Sequence, residues 1–169
     1  MVKRSIFFLA IAAALILIGF YLFGSKMDKD ERAIRDALEN LAELARVDGR
    51  ENMIAAGARA HSIAECFVGD ATVTTQTYGV SIGDKNEIKS MTFYLRSHAD
   101  RFAVDLGDVE VELSKDRTAA VSYADAHLQL HMDGGRESAF KEIEFTWRNT
   151  EEGWKLSQVK MLDIVERPL

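Results

Sequence analysis

The chain opens on an apolar run and then changes character. Ser5 to Gly24 reads SIFFLAIAAALILIGFYLFG, about twenty residues without a charge, preceded by Lys3 and Arg4. At about 1.5 Å per residue, a helix of that length spans roughly 30 Å, the hydrocarbon thickness of a bilayer. From Asp28 the pattern turns periodic. Ile34, Ala37, Leu38, Leu41, Leu44 and Ala45 recur at helical spacing against Arg35, Asp36, Glu39, Glu43 and Arg46. This predicts a helix from Asp28 to Arg46, ended by Asp48-Gly49. A second helix carries Met53, Ala56, Gly57, Ala60, Ile63, Ala64 and Phe67 on one stripe, whose small residues allow close approach of a neighbour. Gly69-Asp70 breaks it, and the Thr/Val-rich Ala71 to Tyr78 reads as a strand. Asp84, with Glu87 three residues on, forms a capping box that opens a third helix. Ile88, Met91, Leu95, His98 and Phe102 share one face of it.

The remainder alternates with period two. Val104 to Leu113, Ala119 to His131, Ser138 to Asn149 and Trp154 to Val165 read as strands, separated by Ser114–Arg117, Asp133-Gly134-Gly135 and Thr150–Gly153. Helices followed by a hairpin-linked meander predict an α+β domain with three helices packed on one face of an antiparallel sheet. The other face is solvated or covered by a partner chain. Residues 1–27 form a tail and membrane anchor, and residues 28–169 the domain.

The run at 5–24 is too long for the apolar core of a cleaved signal peptide. Tyr21, Leu22 and Phe23 also occupy the places where a cleavage site needs small residues. No cysteine follows, so a lipoprotein signal is absent. An uncleaved, single-pass anchor in a bacterial inner membrane is expected, with the domain in the periplasm. The basic residues do not decide this orientation, because Lys26, Lys29, Arg32 and Arg35 follow the run. A short tail and a folded domain that translocates regardless of charge favour it. Apart from Lys3 and Arg4, 19 basic residues stand against 27 acidic ones, a charge of −8, which disfavours nucleic acid as a partner. Cys66 is the only cysteine, so there is no internal disulfide and no cysteine-based zinc site; a small apolar thiol is its expected role.

The order helix, helix, short strand, capped helix and four long strands resembles the nuclear transport factor 2-like (SnoaL-like) superfamily over residues 28–169. Its carriers are IAECFVGDATVTT, YGVSIGDKNEIKSMTFYL and FTWRNTEEGWKLSQV. The resemblance implies a curved sheet wrapped around the helices, a cone with a pocket at its open end. It also implies possible pairing of two copies through the outer sheet face. The superfamily includes cyclases, isomerases and dehydratases, as well as transport adaptors, association domains and secretion components. The pocket acids and histidines of its enzymes match no motif here.

Candidate chemistry is sparse. His127 and His131, four residues apart on one strand, are separated by roughly 13 Å, too far to share a metal ion. With Asp125 and Gln129 they form a row opposite Ala124, Ala126, Leu128 and Leu130. That row reads as a solvated or partner-facing surface, or less readily as an acid–base site. His98 lies on the apolar stripe of the third helix with Tyr94 one turn before it. It is either a core histidine bonded to a carbonyl or a base or ligand donor facing a pocket. Phe145 and Trp147 alternate with Ile143 on an inner strand row and belong to the core or to a pocket lining. Asp163 shares parity with Val159 and Met161 and is either inward, with a raised pKa, or paired with a basic side chain such as Lys160. No Gly-rich phosphate loop, Gly-x-Ser-x-Gly elbow or His-Glu-x-x-His helix occurs, and no cofactor or metal is called for.

Three function classes remain. One is a tethered scaffold whose partners are other envelope proteins or a second copy. Another is a module binding a small apolar ligand through Tyr94, His98, Phe145, Trp147 and Asp163. The third is a cofactor-free lyase, isomerase or cyclase. A pocket sealed by side chains favours the scaffold, an open apolar one favours binding, and an acid–base pair inside it favours catalysis.

Overall fold

The computed structural model describes residues 27–75, 79 and 81–162. The apolar run at 5–24, the end of the expected strand at 76–78 and Asp163 lie outside them. Among the described residues, no helix is long and apolar enough to cross a membrane.

Helix α1 (Lys29–Ala45) starts where Asp28 accepts a hydrogen bond from the Asp30 amide at 2.9 Å, with Asp30 and Glu31 favourably placed in its first turn. It buries Ile34 and Leu38. Strand β1 (Val47–Asp48) follows, then α2 (Met53–Ala64), capped by Asn52 accepting from the Ala55 amide. The small stripe of α2 is in place: Ala56, Ala60 and Ala64 are buried, and the Phe93 ring lies against Gly57. After β2 (Phe67–Thr75) and β3 (Ser81–Gly83) comes α3 (Lys85–His98). Asp84 caps α3 through the Asn86 and Glu87 amides, and Glu87 reaches back as a capping box requires. Its carboxylate accepts from Gly83 rather than from Asp84, because the Asp84 amide is already donated to the Ala71 carbonyl. The long strands are β4 (Ala99–Leu113), β5 (Ala119–Met132), β6 (Gly135–Thr150) and β7 (Gly153–Leu162).

The seven strands form one sheet in the order β1-β4-β5-β6-β7-β2-β3. Its long strands are antiparallel, as the turn signals require, but β2 runs parallel to β7, so the sheet is mixed rather than antiparallel throughout. Hairpin signals report only neighbours in sequence, and this pairing joins strands almost ninety residues apart. Gly69-Asp70, expected as a break, sits inside β2 where the register against β7 jumps from Phe67↔Leu156 to Thr72↔Gln158. Further bulges between Gly107 and Glu110 and between Thr146 and Trp147 bend the long strands. Asp108 adopts a left-handed φ of 46° at the first of them.

The helices cover the sheet face that carries Ala124, Ala126, Ile143, Phe145, Trp147 and Val159. One side chain fixes how they sit. Arg96 of α3, 1% exposed, donates to the carbonyls of Leu44 (2.7 Å), Ala45 (3.1 Å) and Arg46 (3.0 Å) and pairs with Glu51. These carbonyls end α1, whose last turn has no basic residue of its own. Arg96 therefore caps α1 from another helix, and Glu51 neutralises it there.

Candidate functional site

Below this arrangement the layers part and enclose a cavity of about 450 Å³. Its floor is the inner rows of the sheet: Phe102, Val104 and Leu106 of β4, Leu128 and Met132 of β5, Ile143 and Phe145 of β6, Val159 and Met161 of β7. Phe67, Val73 and Ile82 close the β2–β3 side. The roof is Leu41, Ala42 and Ala45 of α1, Ile63 of α2, and Ile88, Met91, Thr92, Tyr94 and Leu95 of α3. Strand parity delivers the floor, since each inward row is the apolar one, and the stripe of α3 delivers most of the roof. Met91 and Tyr94 are also half exposed, at 48% and 54%, so they stand at the mouth.

Among the described residues that line it none is charged, and only Thr92 and Tyr94 carry a side-chain oxygen or nitrogen. Among the described lining residues there is no carboxylate or imidazole. Among the described residues, no group of three or more His, Cys, Asp and Glu is placed to hold a metal ion.

The residues singled out by sequence fall in different places. Tyr94 and Phe145 line the cavity. Trp147 is buried (2% exposed) on the same row as Phe145, ring centres 6.4 Å apart, but it lies beyond the cavity. Its indole N–H donates to the fully buried Ser122 hydroxyl at 2.8 Å. The bulge between Thr146 and Trp147 separates the two aromatics in role. His98 is exposed at the end of α3, just outside the lining. The buried position in that last turn is Arg96, which turns toward α1, so the stripe carries His98 to the rim of the mouth, stacked on Tyr94, instead of under the helix. The His98 ring stacks on Tyr94 (4.3 Å), and its Nδ1–H donates to the Tyr94 carbonyl at 2.8 Å. Asp163 lies outside the described residues, and Phe102, read as the end of the α3 stripe, belongs to β4.

Sequence reasoning did not single out Met132 and Met161 as lining residues, although their parity with Leu128 and Val159 was available. It also missed Arg96, whose signal was an α1 without a basic C-terminal turn.

On the opposite sheet face, the expected row is present. The His127 ring stacks on Phe140 (4.4 Å, 9° between planes), and His127 Nε2 is 2.8 Å from the Ser138 hydroxyl. Phe140 itself is 67% exposed. Farther along, Asp108, Glu110, Asp125 and Glu142 surround Tyr123. Partial desolvation, and then the carboxylates of Glu144, Glu112 and Glu142, push the Tyr123 hydroxyl above its ordinary pKa. Cys66 is half-buried, and burial pushes its thiol above its ordinary pKa.

Comparison with family models and with curated protein sequences gives no match. Solved structures do match. An NTF2-like protein with a cystatin-like fold from Novosphingobium aromaticivorans is 16% identical with a TM-score of 0.62, covering 93% of this chain and 90% of that one. A proposed scytalone dehydratase from the same organism is 10% identical with a TM-score of 0.64, covering 82% and 94%. A proposed calcium/calmodulin-dependent protein kinase II association domain from Xanthomonas campestris is 12% identical with a TM-score of 0.63, covering 83% and 91%. The chain has the nuclear transport factor 2-like fold expected from its sequence. Likeness at these identities is one of fold.

Proposed function

We propose that this protein binds a small apolar molecule in the cavity under α3. The observation that carries the reading is an uncharged, almost wholly apolar lining that opens at Met91 and Tyr94. The volume falls within the roughly 300–1,000 Å³ common for small-molecule sites. An unfilled hollow in a protein interior forfeits dispersion contacts, which a pure scaffold has no reason to give up. A lyase or isomerase needs an acid or base within reach of its substrate, and among the described residues the lining offers a phenol and a threonine hydroxyl.

Filling the cavity tests the proposal. A solvatochromic apolar dye should brighten with the full-length protein and lose that response in Leu128→Trp, while thermal unfolding shows the variant still folded. A dye response unchanged by Leu128→Trp overturns the reading.

We also propose that residues 5–24 tether the domain to the outer side of a bacterial inner membrane, and that two copies pair through the sheet face carrying His127 and Phe140. The uncharged run supports the first. The exposed, stacked Phe140 supports the second. An intact mass lacking the first residues argues against the tether. A sedimentation profile identical between wild type and Phe140→Glu argues against the pairing.

A further inference from the structure

The wall and the mouth of the cavity differ in chemistry. Among the described residues a ligand oxygen inside finds at most the Thr92 hydroxyl, so a ring system bearing ketones or hydroxyls would leave polar groups unpaired. A plain hydrocarbon loses nothing there. Met91, Met132 and Met161 face this space, and their unbranched, polarisable side chains adapt to a flexible occupant.

At the mouth the situation reverses. The Tyr94 hydroxyl makes no hydrogen bond within the described residues. The Nδ1–H of His98 is committed to the Tyr94 carbonyl. That bond and the ring stacking fix the imidazole and leave Nε2 with no partner among the described residues. An imidazole stacked on a phenol ring, with Nε2 and the hydroxyl both unpartnered among the described residues, suits one polar head, a carboxyl group. Either the acid O–H donates to Nε2, or the proton passes to Nε2 and the imidazolium donates to the carboxylate. The same proton stays within the pair, and the Tyr94 hydroxyl donates to the second oxygen.

Resting on the binding role proposed above, we infer that the occupant is a long-chain carboxylic acid, its hydrocarbon tail inside the cavity and its carboxyl group held at the mouth by His98 and Tyr94. His98, outside the lining, thereby becomes the residue that selects the head.

The test uses the full-length protein, stripped of lipid and kept in solution with an amphipathic polymer. Probes are the saturated acids from octanoic to hexadecanoic, their methyl esters, a headless apolar dye, a monoacyl phospholipid and an oxygenated fused-ring ketone. Affinity for the acids should rise by about fourfold per methylene until the cavity is full, then level off. His98→Ala should weaken dodecanoic acid roughly tenfold, leave its methyl ester and the dye within about twofold, and leave thermal unfolding unchanged. Tyr94→Phe should act in the same direction. If the dye binds but the acid series is flat, or if the ketone, the ester or the monoacyl phospholipid binds as tightly as the acid, this inference falls and the binding role stands. An equal effect of His98→Ala on acid and dye has the same meaning. If neither dye nor acid binds, both fall.

Discussion

The inner row of β6 runs through two unlike halves of the same core. At one end Trp147 is buried beside its strand partner Leu156, and its indole is held by Ser122. At the other end, only two residues along the row, Phe145 and Ile143 face a cavity. Both ends are apolar and both are covered by α1, so hydrophobicity does not distinguish them. They differ in whether the side chains meet. The filled end holds the fold together, and the hollow end is free to serve a ligand because it contributes less packing.

Substitutions should separate the two ends sharply. The largest losses belong to the filled end and to the cap that docks α3. Trp147→Ala should cost about 3–5 kcal/mol, since it empties a closed site and strands the Ser122 hydroxyl. Arg96→Leu should cost a similar amount, about 3–5 kcal/mol, because Glu51 and the three carbonyls ending α1 lose their buried partner. Chemical denaturation measures both. A loss under about 1 kcal/mol in either would mean that this end is not the stabilising one.

At the hollow end, Leu128→Ala should cost about 1 kcal/mol, below the usual 2–5 for a buried leucine, because it widens a space that already exists. A cost equal to that of a packed leucine would erase the comparison.

The smallest effect lies at the surface, where Arg117 reaches Asp28 and Asp30 at 3.0 and 2.8 Å and closes the filled end from outside. Hydrogen bonds from the Arg117 side chain and the Asp30 amide hold the Asp28 carboxyl below the usual carboxylate range. A carboxyl depressed on folding contributes stability above its unfolded pKa and loses it as pH falls through the folded value. Asp28→Asn should therefore lower the unfolding temperature slightly at neutral pH and not at all in strong acid. Added salt should shrink the difference.

Much of this was legible in the sequence. Periodicity located α1 to within a residue, and the Asp84 capping box located the start of α3, because a cap has a local job that the chain advertises. Parity assigned Ile143, Phe145 and Trp147 to one inward row. The two very short strands, β1 and β3, were invisible because two or three residues hold no period. The parallel β2–β7 pair was invisible because nothing local encodes a partner so distant. The division of the inner row into filled and hollow halves was also beyond reach. It depends on the volumes of facing layers, and Phe145 and Trp147 look alike in a binary pattern. For a related reason the stripe could not show that His98 stands outside the lining, since helical spacing fixes a direction but not where the neighbouring layer stops.

Arg96 has a consequence for how the molecule opens. The carbonyls it holds are contributed by α1, while the side chain belongs to α3, about fifty residues later. Lifting α3 uncaps α1, and fraying α1 exposes a buried guanidinium, so neither helix can loosen alone at low cost. Amide protons in the last turn of α1 and in the second half of α3 should therefore exchange with solvent together, as one cooperative unit. In Arg96→Leu the two sets should exchange at separate rates.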